Sequence, residues 1–239
     1  VRGFIDRHVA WMTALRHAMR QPRKWEVVAE ERTNREWANA VHTPERVTKE
    51  EDELKIHLGD DFERIAGVKN RAAAILYLQA EKLGKLKDEG LIWEFSFLKL
   101  MDLLNELFNL QGKSERIKNF PYPRQYATLS YGFVRVFIAL LPFGIVPEFH
   151  QIAESLETDF PIVAHYFVWL AVPFCVCVSW VFHTMERIGR VGENPFEGTP
   201  NDVPISTIAR GIEIDLRQLF AEPPDSIPPQ FPVKQDVQM

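Results

Sequence analysis

Cysteine is almost missing from this chain: Cys175 and Cys177 are the only two in 239 residues. They stand two apart inside one apolar run and point away from each other on a helix, so neither a disulfide nor a metal site follows. Small buried thiols are the reading. A surplus of positive charge is missing too. A net charge of −5 and a pI near 5.9 exclude a general nucleic-acid binder. No GxSxG elbow, P-loop, GxGxxG or HExxH occurs. The seven histidines are scattered, and Glu106, Glu115 and Glu186 are isolated carboxylates. The chain is therefore read as a non-enzyme without cofactor or metal. The acidic run Lys49–Glu53 lacks the Asp/Asn spacing and the glycine of a calcium loop.

Long apolar runs are present. Tyr126–Val146 and Phe160–Phe182 flank a short acidic loop. About 20 helical residues cover the roughly 30 Å of a bilayer's hydrocarbon core, and each run meets that length. Lys113, Arg116, Lys118 and Arg124 precede the first run, and Arg187 and Arg190 follow the second. The loop holds Glu148, Glu154, Glu157 and Asp159 with no Lys or Arg. The positive-inside rule then puts both hairpin ends in the cytoplasm. A buried hairpin in a large soluble protein is the alternative. Pro142, Pro147, Pro161 and Pro173 should shorten the helices, and Arg135 would be costly at the bilayer centre, so it should face protein or water. A mean hydropathy of −0.17 is too polar for a chain wholly in lipid, so the hairpin should carry a larger water-exposed helical part.

Residues 2–20 predict a helix with Phe4, Ile5, Met12, Leu15 and Met19 on one face. Arg7, Arg16, Arg20, His8 and His17 form its polar side, read as a solvated basic face or, more sharply, as the lining of an anion path. The opening is a basic amphipathic helix rather than a signal peptide. It begins without Met, as if inside a helix, so an N-terminal part is expected before it. Residues 26–58 read as an exposed helical surface. Asp60 and Asp61 can cap a helix carrying Ile65, Val68, Ala72, Ile75 and Leu76. Leu91–Leu110 predicts a helix apolar around much of its circumference, suited to a core or a subunit interface. Pro121 and Pro123 sit in a stretch from Gly112 read as a rigid extended turn into the membrane, with Arg116 and Lys118 at the level of lipid phosphates. Ile205, Ile208, Ile212, Leu216 and Leu219 share a face of a later helix, and a Pro-rich tail follows, held on a surface or disordered. The organisation expected is all-α: a cytosolic bundle over 1–120, a membrane hairpin over 121–185, a cytosolic turn and helix over 186–220, and a tail over 221–239.

Three stretches resemble the bestrophin family in its bacterial branch: SERIKNFPYPRQY, the LLPFG of the first run, and ENPFEGTPNDVPISTIARGIEIDL. The opening RHVAWMTALRHAMR resembles the family's segment beyond its second membrane helix. The matching positions are Glu115, Arg116, Ile117, Pro121, Pro123 and Tyr126, then Glu193, Asn194, Pro195, Phe196, Asn201, Asp202 and Glu213.

The resemblance implies a pentameric ion channel with one central pore in the cell (inner) membrane, each subunit having four membrane helices and a cytosolic bundle. The hairpin would be the third and fourth of these helices. The family's apolar neck lies on its second membrane helix, before Val1. A second constriction on the cytosolic helix falls near Phe95. In animal members an acidic cluster after the Asn-Pro-Phe turn helps hold calcium; residues 197–202 here are far less acidic, so calcium gating is not expected. The implied function is passive conduction of small monovalent ions, anions such as chloride, in a homopentamer within the lipid bilayer. The alternatives are a cation-conducting bacterial homologue and a non-conducting membrane-anchored scaffold.

Overall fold

The computed structural model describes residues 2–23, 26, 32–120, 124–192, 194–234 and 237–238, with side chains at all of these except 32, 33, 124–127 and 191. Two compact units emerge, Val1–Asn119 with Asn194–Met239, and Phe120–Glu193. The first holds α1 (Arg2–Arg20), α2 (Arg32–Ala40), α3 (Pro44–Val47), α4 (Glu50–Leu58), α5 (Arg71–Asp88) and α6 (Glu94–Asn119). The second holds α7 (Arg124–Leu156), α8 (Pro161–Phe167) and α9 (Ala171–Val191), and α10 (Ile205–Leu219) returns to the first. Among the described residues every regular element is helical apart from one bridge between Lys234 and Val237, so the chain is all-α.

The first unit is built around α1. Val9 to Ala14 are six consecutive buried residues, more than one and a half turns, so no side of the helix is left free there. The one-faced helix expected from periodicity is instead a central helix, with α4, α5, α6 and α10 packed about it. Leu54 and Ile75 are fully enclosed, beside Leu58, Phe62, Ile65 and Leu76. Each such side chain contributes about 1.5–3 kcal/mol through burial.

Local chemistry moves two expected boundaries. Asp60 and Asp61 lie in a 3₁₀ turn, Gly59–Arg64, and do not cap the long helix. Asn70 caps α5 instead, its Oδ1 accepting the Ala73 amide at 3.0 Å. Likewise, α6 continues to Asn119, so Gly112 to Asn119 form helix rather than an extended turn. Lys118 does not reach toward lipid phosphates: its ammonium pairs with Glu26 and its side chain is buried.

The last helix turns its charged side inward. Ser206, Glu213 and Arg217 are buried, whereas Ile208 and Leu219 are 49% and 79% exposed. Glu213 accepts from Arg210 at 3.0 Å and from Arg217 at 3.0 Å, and those bonds make its burial tolerable. The tail is held on the same unit. The Phe231 ring lies 4.7 Å from the Arg210 guanidinium and 5.9 Å from that of Arg16, and Gln230 Nε2 donates to the Thr207 carbonyl at 3.2 Å.

In the second unit α7 runs without a break through Pro142 and Pro147, so these prolines do not shorten it as expected. The Phe137 and Phe182 rings pack at a tilt with centroids 4.6 Å apart, while Phe149 lies 5.6 Å from both Phe167 and Phe174. Higher numbers on α7 meet lower numbers beyond the loop, so the pair is an antiparallel hairpin. Among the described residues Ala153, Ala164 and Ala171 are its buried hydrophobic ones, small enough for the backbones to approach closely.

Candidate functional site

The polar side of α1 is neither a solvated face nor a free anion path. Arg16 donates to Glu45 through Nη1 and to Glu53 through Nη2, and its side chain is 6% exposed. Ser206 Oγ donates to the same Glu45 oxygen at 2.6 Å, tying α10 to α3. His17 Nε2 lies 3.6 Å from Glu53 Oε1, and Arg7 donates to Asp61 at 2.7 Å. Burial pushes the Glu45 carboxyl up, but the Arg16 charge and the Ser206 hydrogen bond bring it below the usual value. Glu53 is raised by burial and lowered more by His17, Arg16 and Thr48, to about 2. Burial holds His57 below the ordinary histidine value. Periodicity could not reveal this network, because Arg16, Glu45, Glu53 and Ser206 lie far apart in sequence.

Beyond α1 opens a cleft of about 1060 Å³, with Arg20, Arg23, Glu45, Arg46 and Lys49 among its walls. Arg20 donates through Nη2 to the Val203 carbonyl at 3.2 Å, while its Nε and Nη1 have no partner among the described residues. Burial lowers its pKa. Donors in such a place can take water or a small anion.

The motif positions divide sharply. Glu115 accepts from Asn70 Nδ2 at 2.9 Å and Gln111 Nε2 at 2.7 Å, while Gln111 Oε1 accepts from Trp11 at 2.9 Å. That chain joins α1, α5 and α6. Arg116 and Ile117, its neighbours, are exposed. Pro195 accepts the Val203 amide at 3.0 Å, and Asp202 Oδ2 accepts the Thr199 amide at 2.8 Å, closing a turn over residues 195–203. Gly198 has φ +87° there, and an added Cβ would meet Thr43 Cγ2 at 3.1 Å, which favours glycine twice over. Asn194 and Phe196 are half-buried in that turn, Asn201 is exposed, and Glu213 sits in the ion cluster of α10. Pro121, Pro123 and Glu193 lie outside the described residues, as does the side chain of Tyr126.

Phe95 lies on the first turn of α6 and is 83% exposed, with Leu98 one turn on and 50% exposed. Only one side of α6 meets the core, through Leu104, Leu107 and Gln111. Trp93, Leu103, Phe108 and Leu110 are also exposed. The hairpin likewise presents Phe133, Leu140, Phe143, Trp169 and Trp180 outward. Thr128–Leu156 and Pro161–Arg190 are two helical segments long and apolar enough to cross a membrane, and only 0% and 11% of their most apolar stretches are buried. A hairpin enclosed in a soluble core would have the opposite burial.

The family described as Bacterial/Fungal Bestrophin protein matches residues 2–218. The chain is 28% identical over 163 residues to the voltage-dependent anion channel-forming protein YneE of Escherichia coli, covering 68% of this chain and 48% of that one. It is 30% identical over 179 residues to a voltage-dependent anion channel-forming protein of Ralstonia nicotianae, covering 74% and 53%. The chain thus spans about half the length of the curated relatives it matches. A crystal structure of a bacterial bestrophin homologue from Klebsiella pneumoniae superposes with a TM-score of 0.65 at 21% identity, over 93% of this chain and 67% of that one.

Proposed function

This chain belongs to the bacterial and fungal bestrophin family, and on that premise we propose that it is a subunit of a homopentameric channel conducting small anions such as chloride. The observation that carries the proposal is the apolar surface both units leave uncovered. The hairpin's outward aromatic and aliphatic residues suit lipid, and the uncovered sides of α6 and α10 suit further copies of the chain. The names of the relatives support anions over cations. The basic hairpin ends then face the cytoplasm of a multi-pass membrane protein.

Conduction would be passive. A ring of apolar side chains gates by dewetting, because ions pass only where the constriction is wide enough to stay hydrated. Phe95 and Leu98, exposed on one side of α6, would form such a ring around the symmetry axis. The test is reversal potential in planar bilayers under a salt gradient, with the protein purified at full length. A reversal near the chloride equilibrium potential is expected. A cation reversal would overturn the anion assignment, and silence from intact pentamers would overturn the channel. Phe95→Ala should alter relative permeability while leaving the pentamer peak in size-exclusion chromatography unchanged; unaltered permeability removes Phe95 from the pore.

A further inference from the structure

The hairpin brings two arginines to one tyrosine. The Arg135 guanidinium carbon lies 4.1 Å from the centroid of the Tyr131 ring, and that of Arg190 lies 4.5 Å from it. Arg190 is held in place by Glu186, a carboxylate only 7% exposed, which accepts from its Nε at 3.1 Å and also from its Nη2. Arg135 is exposed, and among the described residues no carboxylate pairs with it. The cluster therefore carries two fixed cations against one anion.

Its level in the hairpin is defined. Arg135 is seven residues beyond Thr128, about 10 Å along the helix, and Arg190 is the last residue of the second apolar segment. Helical side chains lean toward the N-terminus, so Arg135 extends back toward Tyr131 and the basic end rather than into the hydrocarbon. Tyrosine is suited to the headgroup boundary. Around the cluster, Leu129, Phe133 and Val136 are exposed and apolar. An anion reaching Arg135 would thus arrive from the outer surface of the helices, next to side chains that suit acyl chains.

We propose that Arg135, Tyr131 and Arg190 form a binding site for the phosphate of an anionic phospholipid at the basic end of the hairpin. The proposal rests on the membrane-spanning reading of α7 and α9. A phosphodiester supplies the missing negative charge at the right depth, and its two free oxygens match the forked donors of a guanidinium whose face is stacked on a ring. Glu186 and Tyr131 act as positioning residues: one aims Arg190, the other holds both guanidinium planes.

The test uses the full chain in detergent, with native mass spectrometry counting adducts of dioleoyl-phosphatidylglycerol against dioleoyl-phosphatidylcholine. The wild type should retain phosphatidylglycerol preferentially. Arg135→Gln should weaken that binding about fivefold, Arg135→Lys less, and Lys99→Gln on the exposed side of α6 not at all. Equal retention by Arg135→Gln, or equal loss in Lys99→Gln, overturns the site. Displacement of the lipid by millimolar inorganic phosphate would assign the cluster to a soluble anion instead. Alkaline carbonate extraction of the same chain separates the two ideas. A chain released to the supernatant overturns the hairpin reading, whereas a membrane-retained chain whose lipid binding ignores Arg135 overturns only the lipid site.

Discussion

The two units differ in which side chains they enclose and which they leave outside. In the first, Arg16, Glu45, Glu213 and Arg217 are enclosed with Leu54 and Ile75, each charge meeting an opposite one. In the second, phenylalanine, tryptophan and leucine point outward and alanine lies between the helices. A helix in water hides apolar area and must satisfy whatever charge it takes inside. A helix in lipid gains nothing by hiding leucine, so small residues meet at its contacts and large ones face out. The contrast identifies two solvents within one chain.

Three measurements would break or sharpen that contrast. The largest effect is expected from Arg16→Met, which leaves the Glu45 and Glu53 carboxylates enclosed without their cation. Removing one partner of such a cluster costs about 3–5 kcal/mol, a large share of a stability of about 5–15 kcal/mol. A strongly lowered thermal midpoint by circular dichroism is the expected readout; an unchanged midpoint would mean that this ion network does not hold the first unit together. Next comes Leu140→Arg, at an outward position 59% exposed near the middle of α7. On insertion scales it costs about 2.5–3.5 kcal/mol in lipid. Membrane integration of the variant should fall, whereas equal integration would mean that this face does not meet lipid.

The smallest effect concerns pH and Glu53. Its carboxyl sits at about 2 in the folded chain, below an ordinary value near 4.3. A lowered folded value contributes stability that is present above the unfolded pKa and is lost as pH falls from about 4.3 toward about 2. Thermal midpoints should therefore hold steady from pH 7 to about 5 and drop below it, with a shallower drop in Glu53→Gln. Equal slopes in the two proteins would show Glu53 outside the network.

Some of this organisation is legible along the chain because it is local. The lengths of the two apolar runs, the recurrence of apolar residues every three or four positions, and the Glu-Arg-Ile and Asn-Pro-Phe stretches are all properties of near neighbours, and they pointed to an all-α member of this family. Periodicity was less informative for α10: it grouped Ile208, Ile212 and Leu219 with Leu216 on one face, yet only Leu216 of these packs against the core while the other three stay exposed. The cap of α5 was misplaced for a similar reason: Asp60, Asp61 and Asn70 are all competent capping residues, and Gln111 and Glu115 from another helix favour the third.

By itself, then, the sequence determined the helices, the hairpin and the family, since hydropathy over a turn or a span acts between adjacent residues. Tertiary structure alone decided which charges went inside. Arg16 meets Glu45 across 29 positions and Ser206 meets Glu45 across 161, and it alone brought Arg135 and Arg190 to one ring. A buried charge is tolerated only where an opposite one arrives from elsewhere in the fold, and that arrival has no local pattern.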